Sequence, residues 1–340
     1  MSSTSEALKK IANARENLSR EESSAVFDEI MGGGVEPVVL SAFLTALKMK
    51  GETIDEAVGA AMAMRKRAAF INAGAGKPID TCGTGGDGLD TFNISTTSAF
   101  VVAGAGVCVA KHGNRAATSK CGSGDVLAAL GFNLDAPAQL MEHCLQENGI
   151  AFLFAPKMHP AMKYAAPVRR ALGFRTIFNI LGPLVNPAGA SGQLIGVFSE
   201  SYTEFLAECL KRLGTRRAYV VHGYDGMDEI SVCAPTKISE LKNGSVKTYE
   251  FAPQAYLESY GDFAELRGGD PSENARITLE ILSGKRRGAA RDICVVNAAA
   301  GIIVGEKADD FGAAVKMART SIDSGAAMEK LQTLIKFSNL

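Results

Sequence analysis

The chain has 340 residues, 46% of them hydrophobic and 21% charged, an ordinary globular composition with length for one large domain or two smaller ones. Its 36 basic and 37 acidic side chains leave a net charge of −1, which argues against a nucleic-acid or membrane-surface binder. The longest nearly apolar stretch, Ala99 to Ala110, is 12 residues, too short to cross a bilayer, and the N-terminus is polar, so a cytoplasmic protein is expected.

The first 70 residues read as helices only. Ser3 and Glu6, Ser19 and Glu22, and Thr53 and Glu56 each have the S/T-x-x-E spacing of a capping box, in which side chains satisfy free N–H groups at a helix start. Gly32-Gly33-Gly34 stops the second helix, Pro37 suits the first turn of the third, and Gly51 ends it. Four short amphipathic helices predict a small helical unit.

From Ile79 the pattern changes. PIDTC, VCVAKHG, LIGVFS and RAYVVHG are short apolar runs, separated by helical stretches such as STTSAFVVAGAG and the segment around Tyr202–Leu213. Such alternation predicts a buried, largely parallel sheet. Residues 165–185 lack strand alternation and read as a helix and connection joining the N-terminal unit. The predicted fold is α/β: a helical domain over 1–75, with a contribution from 165–185, and an α/β domain over 76–340. Seven cysteines without a CxxC pair read as reduced packing residues, and four histidines without HxxxH spacing argue against a zinc site.

Glycine is the unusual residue, 36 in all, and twelve of them fall between Gly74 and Gly131. Gly83-Thr84-Gly85-Gly86-Asp87-Gly88 fits GxGxxG by letters. It lacks the helix opening on the last glycine and the acid about 20 residues on that a dinucleotide fingerprint needs. No Gly-Lys-Ser/Thr follows either, so it is not a Walker loop. The alternative is an anion cradle of crowded backbone N–H groups. Asn93-Ile94-Ser95-Thr96-Thr97 stands before an apolar helix, a second phosphate-type site at a helix start. A strand then ends in Lys111-His112-Gly113-Asn114-Arg115, and the loop from Ala116 to Gly124 adds Ser119, Gly122 and Ser123 before another helix. Three such loops at one sheet edge point to a polyphosphate ligand. Asp228-Glu229, with Asp225, follows a strand at Ala218–Val221. Alone these acids more often form a solvated turn; beside a polyphosphate they read as Mg²⁺ ligands, with Ser95 and Asp87 as further contacts.

GTGGDG, NIST, KHGNRAATSKCGSGD, RRALGFRTIFNILGPLVNP and HGYDGMDEIS stand in the order and spacing of one family. From about residue 4 to 335 the chain resembles the anthranilate phosphoribosyltransferases. The resemblance implies transfer of the 5-phosphoribosyl group of 5-phosphoribosyl 1-diphosphate (PRPP) to the amine of anthranilate with release of diphosphate, the second step from chorismate to tryptophan. It also implies two Mg²⁺ ions and a homodimer through the helical domain. Carried over by position, Gly83, Gly86, Asp87 and Thr91 line the PRPP site. Asn93, Ile94, Ser95 and Thr96 continue it. Lys111, His112, Gly113, Asn114, Arg115, Ala116, Ala117, Thr118, Ser119 and Ser123 complete it. Ser95, Asp228 and Glu229 are the implied metal ligands. Gly83, Asn114 and Arg169 are implied for anthranilate, with His112 and His159 close by, either orienting substrate or anchoring loops.

No strong general base stands out, so catalysis is expected to come from positioning by Lys111, Asn114 and Arg169 and from leaving-group electrostatics. Departures from the family pattern are Gly124 for a frequent Ala, Val185 for a frequent Thr, and Met162 for the Tyr of some members. A pyrimidine nucleoside phosphorylase-like enzyme shares the fold type, but IDTCGTGG differs from that family's KHSTGG-like string. A non-catalytic nucleic-acid-binding relative would want a basic face.

Overall fold

The computed structural model describes residues 2–116, 119–257 and 260–340. Four helices come first: α1 (Ser3–Ala14), α2 (Arg20–Met31), α3 (Pro37–Lys50) and α4 (Ile54–Lys66). Strands and helices then alternate through β1 (Ile79–Gly83), α5 (Ile94–Gly104), β2 (Val109–Gly113), α6 (Ser123–Ala129), α7 (Ala138–Asn148) and β3 (Ile150–Phe154). An inserted helical stretch holds α8 (Ala155–Met158), α9 (Ala166–Leu172) and α10 (Phe178–Leu181). The chain returns to the sheet with β4 (Gly192–Gly196), α11 (Tyr202–Arg212), β5 (Arg217–Gly223), β6 (Thr236–Lys242) and β7 (Ser245–Phe251). It ends with α12 (Pro271–Leu282), α13 (Ala289–Val304), α14 (Phe311–Asp323) and α15 (Ala326–Ser338).

The capping boxes at Ser19/Glu22 and Thr53/Glu56 are complete, and Pro37 opens α3 as expected. The box expected at Ser3 does not form. Ser2 caps α1 instead, its Oγ accepting from Ser5 N at 3.2 Å. Starting one residue earlier adds a backbone bond from Glu6 N to Ser2 O and brings Thr4 N to Glu29 Oε2 at 2.9 Å.

The seven-stranded sheet has the order β3-β2-β1-β4-β5-β6-β7. β1 to β5 pair in parallel, in keeping with the largely parallel sheet expected, although the β3 run was not among those read, and β6 and β7 add an antiparallel hairpin. That hairpin was not anticipated. Its signal was Asn243-Gly244, a two-residue turn with φ of +53° and +72°.

Along β5 the side chains alternate. Tyr219 and Val221 join the apolar cluster built from α5, α13, α14 and α15, whereas Ala218 and Val220 join the cluster of α11 and the N-terminal helices. Ala165, Val168, Ile177, Ile180, Leu181 and Leu184 enter that second cluster beside Phe27, Phe43 and Leu44. The inserted stretch thus packs with the helical unit and hangs over the carboxyl ends of the strands. β1 lies between β2 and β4, so the crossover direction reverses there, and the crevice at its carboxyl end is where open α/β sheets bind ligands.

Candidate active site

Gly83 ends β1 in register with Gly196 at the end of β4. Gly196 is a glycine of necessity, because an added Cβ would lie 1.5 Å from the Asp228 carbonyl oxygen. This close approach lets the acidic loop after β5 lie against the glycine loop after β1. Gly85 N donates to Asp228 Oδ2 at 3.1 Å. Asp87 accepts from Leu89 N through Oδ1, while its Oδ2 is buried without a partner.

Three carboxylates therefore crowd the crevice. Burial, and then the neighbouring Asp87 carboxylate, raise Asp228 to about 7. Glu229 is held well above the usual range by burial and by Asp228, opposed by Lys111 and by the backbone N–H of Ser95. Asp225, the third acid of the motif, is taken up by its own turn: its Oδ2 accepts from Ser231 Oγ at 2.6 Å.

The start of α5 faces the same crevice. Asn93 precedes the helix without capping it, since its Nδ2 donates to Cys121 O and its Oδ1 accepts from Asn274 Nδ2. Ile94 and Thr96 are buried, and the Ile94 N–H donates to the Phe92 carbonyl oxygen at 2.7 Å. Ser95 Oγ accepts from Lys111 Nζ at 3.4 Å, and Lys111 Nζ also donates to Thr81 O. Lys111 is buried, and burial lowers its pKa against the pull of Asp80.

The third loop is folded by Asp125, which by sequence marks only a helix start. Asp125 Oδ2 accepts from Ala116 N at 2.8 Å and Gly122 N at 3.0 Å, and Oδ1 accepts from Arg115 Nη1 at 2.8 Å. Ala116 N and one nitrogen of Arg115 are thereby engaged within the loop, while the rest of the Arg115 guanidinium stays exposed. Ser123 Oγ accepts from Asn114 N and donates to Asn114 O, both at 3.1 Å. Gly113 is tight against Ser123 and Phe152. Thr91 and Ser119 line a small cleft with Asp90, Lys120, Cys121, Gly269 and Asn274. Ala117 and Thr118 lie outside the described residues.

Asp80 and Asn186 were missed. Asp80 is fully buried in β1; its Oδ1 accepts from His112 N at 3.1 Å and its Oδ2 from Asn186 Nδ2 at 2.8 Å. Asn186 Nδ2 also donates to Ala110 O. The signal was an acid inside an apolar run, PIDTC, in a strand buried on both faces.

His112 and His159 meet edge to face with ring centroids 5.0 Å apart. Burial, then the facing His159, lowers His112 to about 3, and burial lowers His159 to about 4, so both are neutral at pH 7. Each ring bonds a backbone group, of Gly182 and Val185 respectively, and each Nε2 is buried without a partner. Two neutral acceptors cannot pair with a carboxylate. Arg169 can: it is half-buried on α9, its guanidinium 5.1 Å from the Phe178 ring centroid, and no ion pair engages it among the described residues, whereas Arg170 is exposed.

Among the described residues, no three His, Cys, Asp or Glu side chains are gathered as a complete metal cage. The crowded carboxylates and the orphaned Asp87 oxygen nonetheless fit a hard cation that keeps most of its shell for substrate oxygens and water.

The glycosyl transferase family α/β domain matches residues 75–328, and the helical bundle domain of the same family matches 5–68. The chain is 55% identical over 334 residues to the anthranilate phosphoribosyltransferase of Desulfosudis oleivorans, covering 98% of each sequence. It superposes on the crystal structure of anthranilate phosphoribosyltransferase from Thermus thermophilus with a TM-score of 0.93 at 38% identity, covering 100% of both chains. The Saccharomyces cerevisiae enzyme in complex with PRPP and Mg matches with a TM-score of 0.90 at 26% identity, over 99% of this chain and 98% of that one.

Proposed function

The chain belongs to the anthranilate phosphoribosyltransferase family, a group of pentosyltransferases, and on that premise we propose how its own residues carry the reaction. The C1–oxygen bond of PRPP to diphosphate breaks, a C1–nitrogen bond to the anthranilate amine forms, and the amine gives up one proton to water or to the released diphosphate. The product serves tryptophan biosynthesis.

The observation that carries this reading is the crowded carboxylate set, Asp87, Asp228 and Glu229, lying against a glycine loop and Lys111 at the switch of the sheet. Asp228 and Glu229 hold Mg²⁺, with Ser95 on a second ion. Magnesium neutralises the leaving diphosphate when bound. Lys111 and the N–H groups of Gly83, Gly86 and Asp87 supply positive potential where that charge develops. The start of α5, with Asn93, Ile94, Ser95 and Thr96, offers backbone and hydroxyl donors to the sugar phosphates, and Asn114, Ser119 and Ser123 close the cradle.

Arg169 pairs the anthranilate carboxylate, for which a guanidinium fork is well shaped. The neutral Nε2 atoms of His112 and His159 accept from the amine rather than from the acid. No buried group serves as a strong base, and an aromatic amine with a free lone pair needs none. The work is alignment and leaving-group stabilisation.

The division into a helical unit (1–75 with 165–185) and an α/β unit (76–340) belongs to the same proposal, supported by the shared apolar cluster of the helices and the inserted stretch. So does the homodimer: Val38, Ala42 and Met49 form an exposed stripe along one side of α3. The seven free thiols suit a reducing compartment such as the cytoplasm. Among the described residues no helix is long and apolar enough to cross a membrane.

The test is fluorimetric. Purified protein with PRPP, Mg²⁺ and anthranilate is expected to extinguish anthranilate fluorescence. Unchanged fluorescence together with PRPP-independent phosphorolysis of thymidine or uridine would overturn the reading.

A further inference from the structure

Arg175 lies between α9 and α10, six residues beyond Arg169. Its side chain is exposed but not loose. The guanidinium carbon sits 3.9 Å from the centroid of the Phe198 ring, and Nη2 donates to the Gly86 carbonyl oxygen. Both ends of this contact are shaped for it. Gly86 has φ of +82°, and an added Cβ would lie 3.0 Å from Arg175 Nη2, so a larger residue would be strained and would crowd the guanidinium. Phe198 extends β4, and its N–H donates to Thr84 Oγ1 at 3.1 Å, while Thr84 N donates to Gly196 O at 2.9 Å.

The beginning of the glycine loop is therefore tied to β4 directly, and its middle is tied to the same extension of β4 through Arg175. On its other side Gly85 N reaches Asp228. Nothing packs within 4 Å of the missing side chains of Gly85 and Gly88. Tethers more than packing set the shape of this loop, and among the described residues Arg175 is the tether that comes from the inserted helical stretch.

We infer that Arg175 is a positioning residue for the reaction. By holding Gly86 it keeps the N–H groups of the Gly83–Gly88 loop aligned for the diphosphate of PRPP, and it links that loop to the stretch that carries Arg169. This rests on the proposed function of the same site. Arginine suits the task because its flat guanidinium can stack on a ring and donate in its own plane at once, which an ammonium cannot.

The experiment compares full-length wild type with Arg175→Ala, Arg175→Lys and Phe198→Leu. One readout is the KM of each substrate; the other is amide hydrogen exchange of the ligand-free protein. Loss of one charge-assisted hydrogen bond at an exposed site is expected to raise the PRPP KM about tenfold in Arg175→Ala. The anthranilate KM stays within about twofold of wild type, since Arg169 is untouched. Exchange speeds up over residues 84–89 and not over α9 and α10. Arg175→Lys and Phe198→Leu fall between wild type and Arg175→Ala.

An unchanged PRPP KM with unchanged loop exchange would overturn the inference. So would a joint rise in both KM values with faster exchange across α9 and α10, because Arg175 would then only support the fold of that stretch. If the wild type fails to join anthranilate to PRPP, the proposed function fails, and the exchange comparison still decides whether Arg175 holds the loop.

Discussion

Two buried charged clusters share Lys111, one around Asp80 within β1 and one around Asp228 after β5, and they are built to opposite plans. Around Asp80 the donors match the acceptors, although burial still raises its pKa against the pull of Lys111. One carboxylate faces Lys111, both its oxygens accept hydrogen bonds, and Asn186 spans from it to the β2 backbone. Around Asp228 they do not balance. Asp87, Asp228 and Glu229 repel one another, one carboxylate oxygen is buried without a donor, and Lys111 is a single opposing cation shared with the first cluster. A balanced buried cluster holds a scaffold. An unbalanced one stores a demand for positive charge, which a ligand can meet.

Breaking each cluster should therefore give opposite signatures. Asp80→Ala removes the nearer of the two carboxylates that oppose Lys111 and leaves two donors short of an acceptor, and is expected to cost about 3 kcal/mol in urea unfolding. The same measurement on Asp228→Asn with Glu229→Gln is expected to show the metal-free protein as stable as wild type or more so, because repulsion is removed. Turnover of that double variant should fall about 100-fold or more and its Mg²⁺ requirement should rise. Normal Mg²⁺ dependence would remove the metal assignment.

The neutral histidine pair sharpens the contrast, since it too is buried but carries no charge to balance. The folded values of His112 and His159, about 3 and about 4, lie below the ordinary value of 6.5 expected in the unfolded chain. The unfolded chain binds more protons between these limits. Stability is therefore full above about 6.5 and is lost as pH falls toward 3. His159→Phe should flatten part of this acid loss in urea titrations from pH 7 to 4; an unchanged slope would show that His159 does not contribute to it. The smallest effects concern the substrate's own charge. Arg169→Ala is expected to raise the anthranilate KM about tenfold and the PRPP KM less, whereas Arg170→Ala changes either by less than about twofold.

The local parts of the molecule were legible because their signals are local. Two capping boxes, Pro37 at its helix start and the glycine terminators need only a few neighbouring residues, so the helical unit could be read directly, apart from the one-residue shift at Ser2. Apolar runs separated by helices indicated the parallel part of the sheet, while the Asn243-Gly244 hairpin carried a turn signal that passed unused. The glycine loops by themselves indicated a polyphosphate site, and the order of GTGGDG, NIST, KHGN and MDEIS carried the resemblance that implied phosphoribosyl transfer.

What the sequence could not decide was which donors are free. Ala116 N and Arg115 read alike as phosphate ligands, yet Asp125 takes the first N–H and one nitrogen of the second, whose guanidinium stays exposed. Arg169 and Arg170 are neighbours in the chain, and helix geometry alone turns the first inward. Asp80 shares its cluster with Lys111 and Asn186, 31 and 106 residues away, and Arg175 meets Gly86 89 residues back. Hydrogen-bond partnership and burial depend on distances of a few ångströms between remote segments, and those distances exist only once the sheet has closed its crevice. The residue types and their order determined what chemistry the chain could host; the packing of β1 against β4 decided which of those groups face the ligand and which hold the frame.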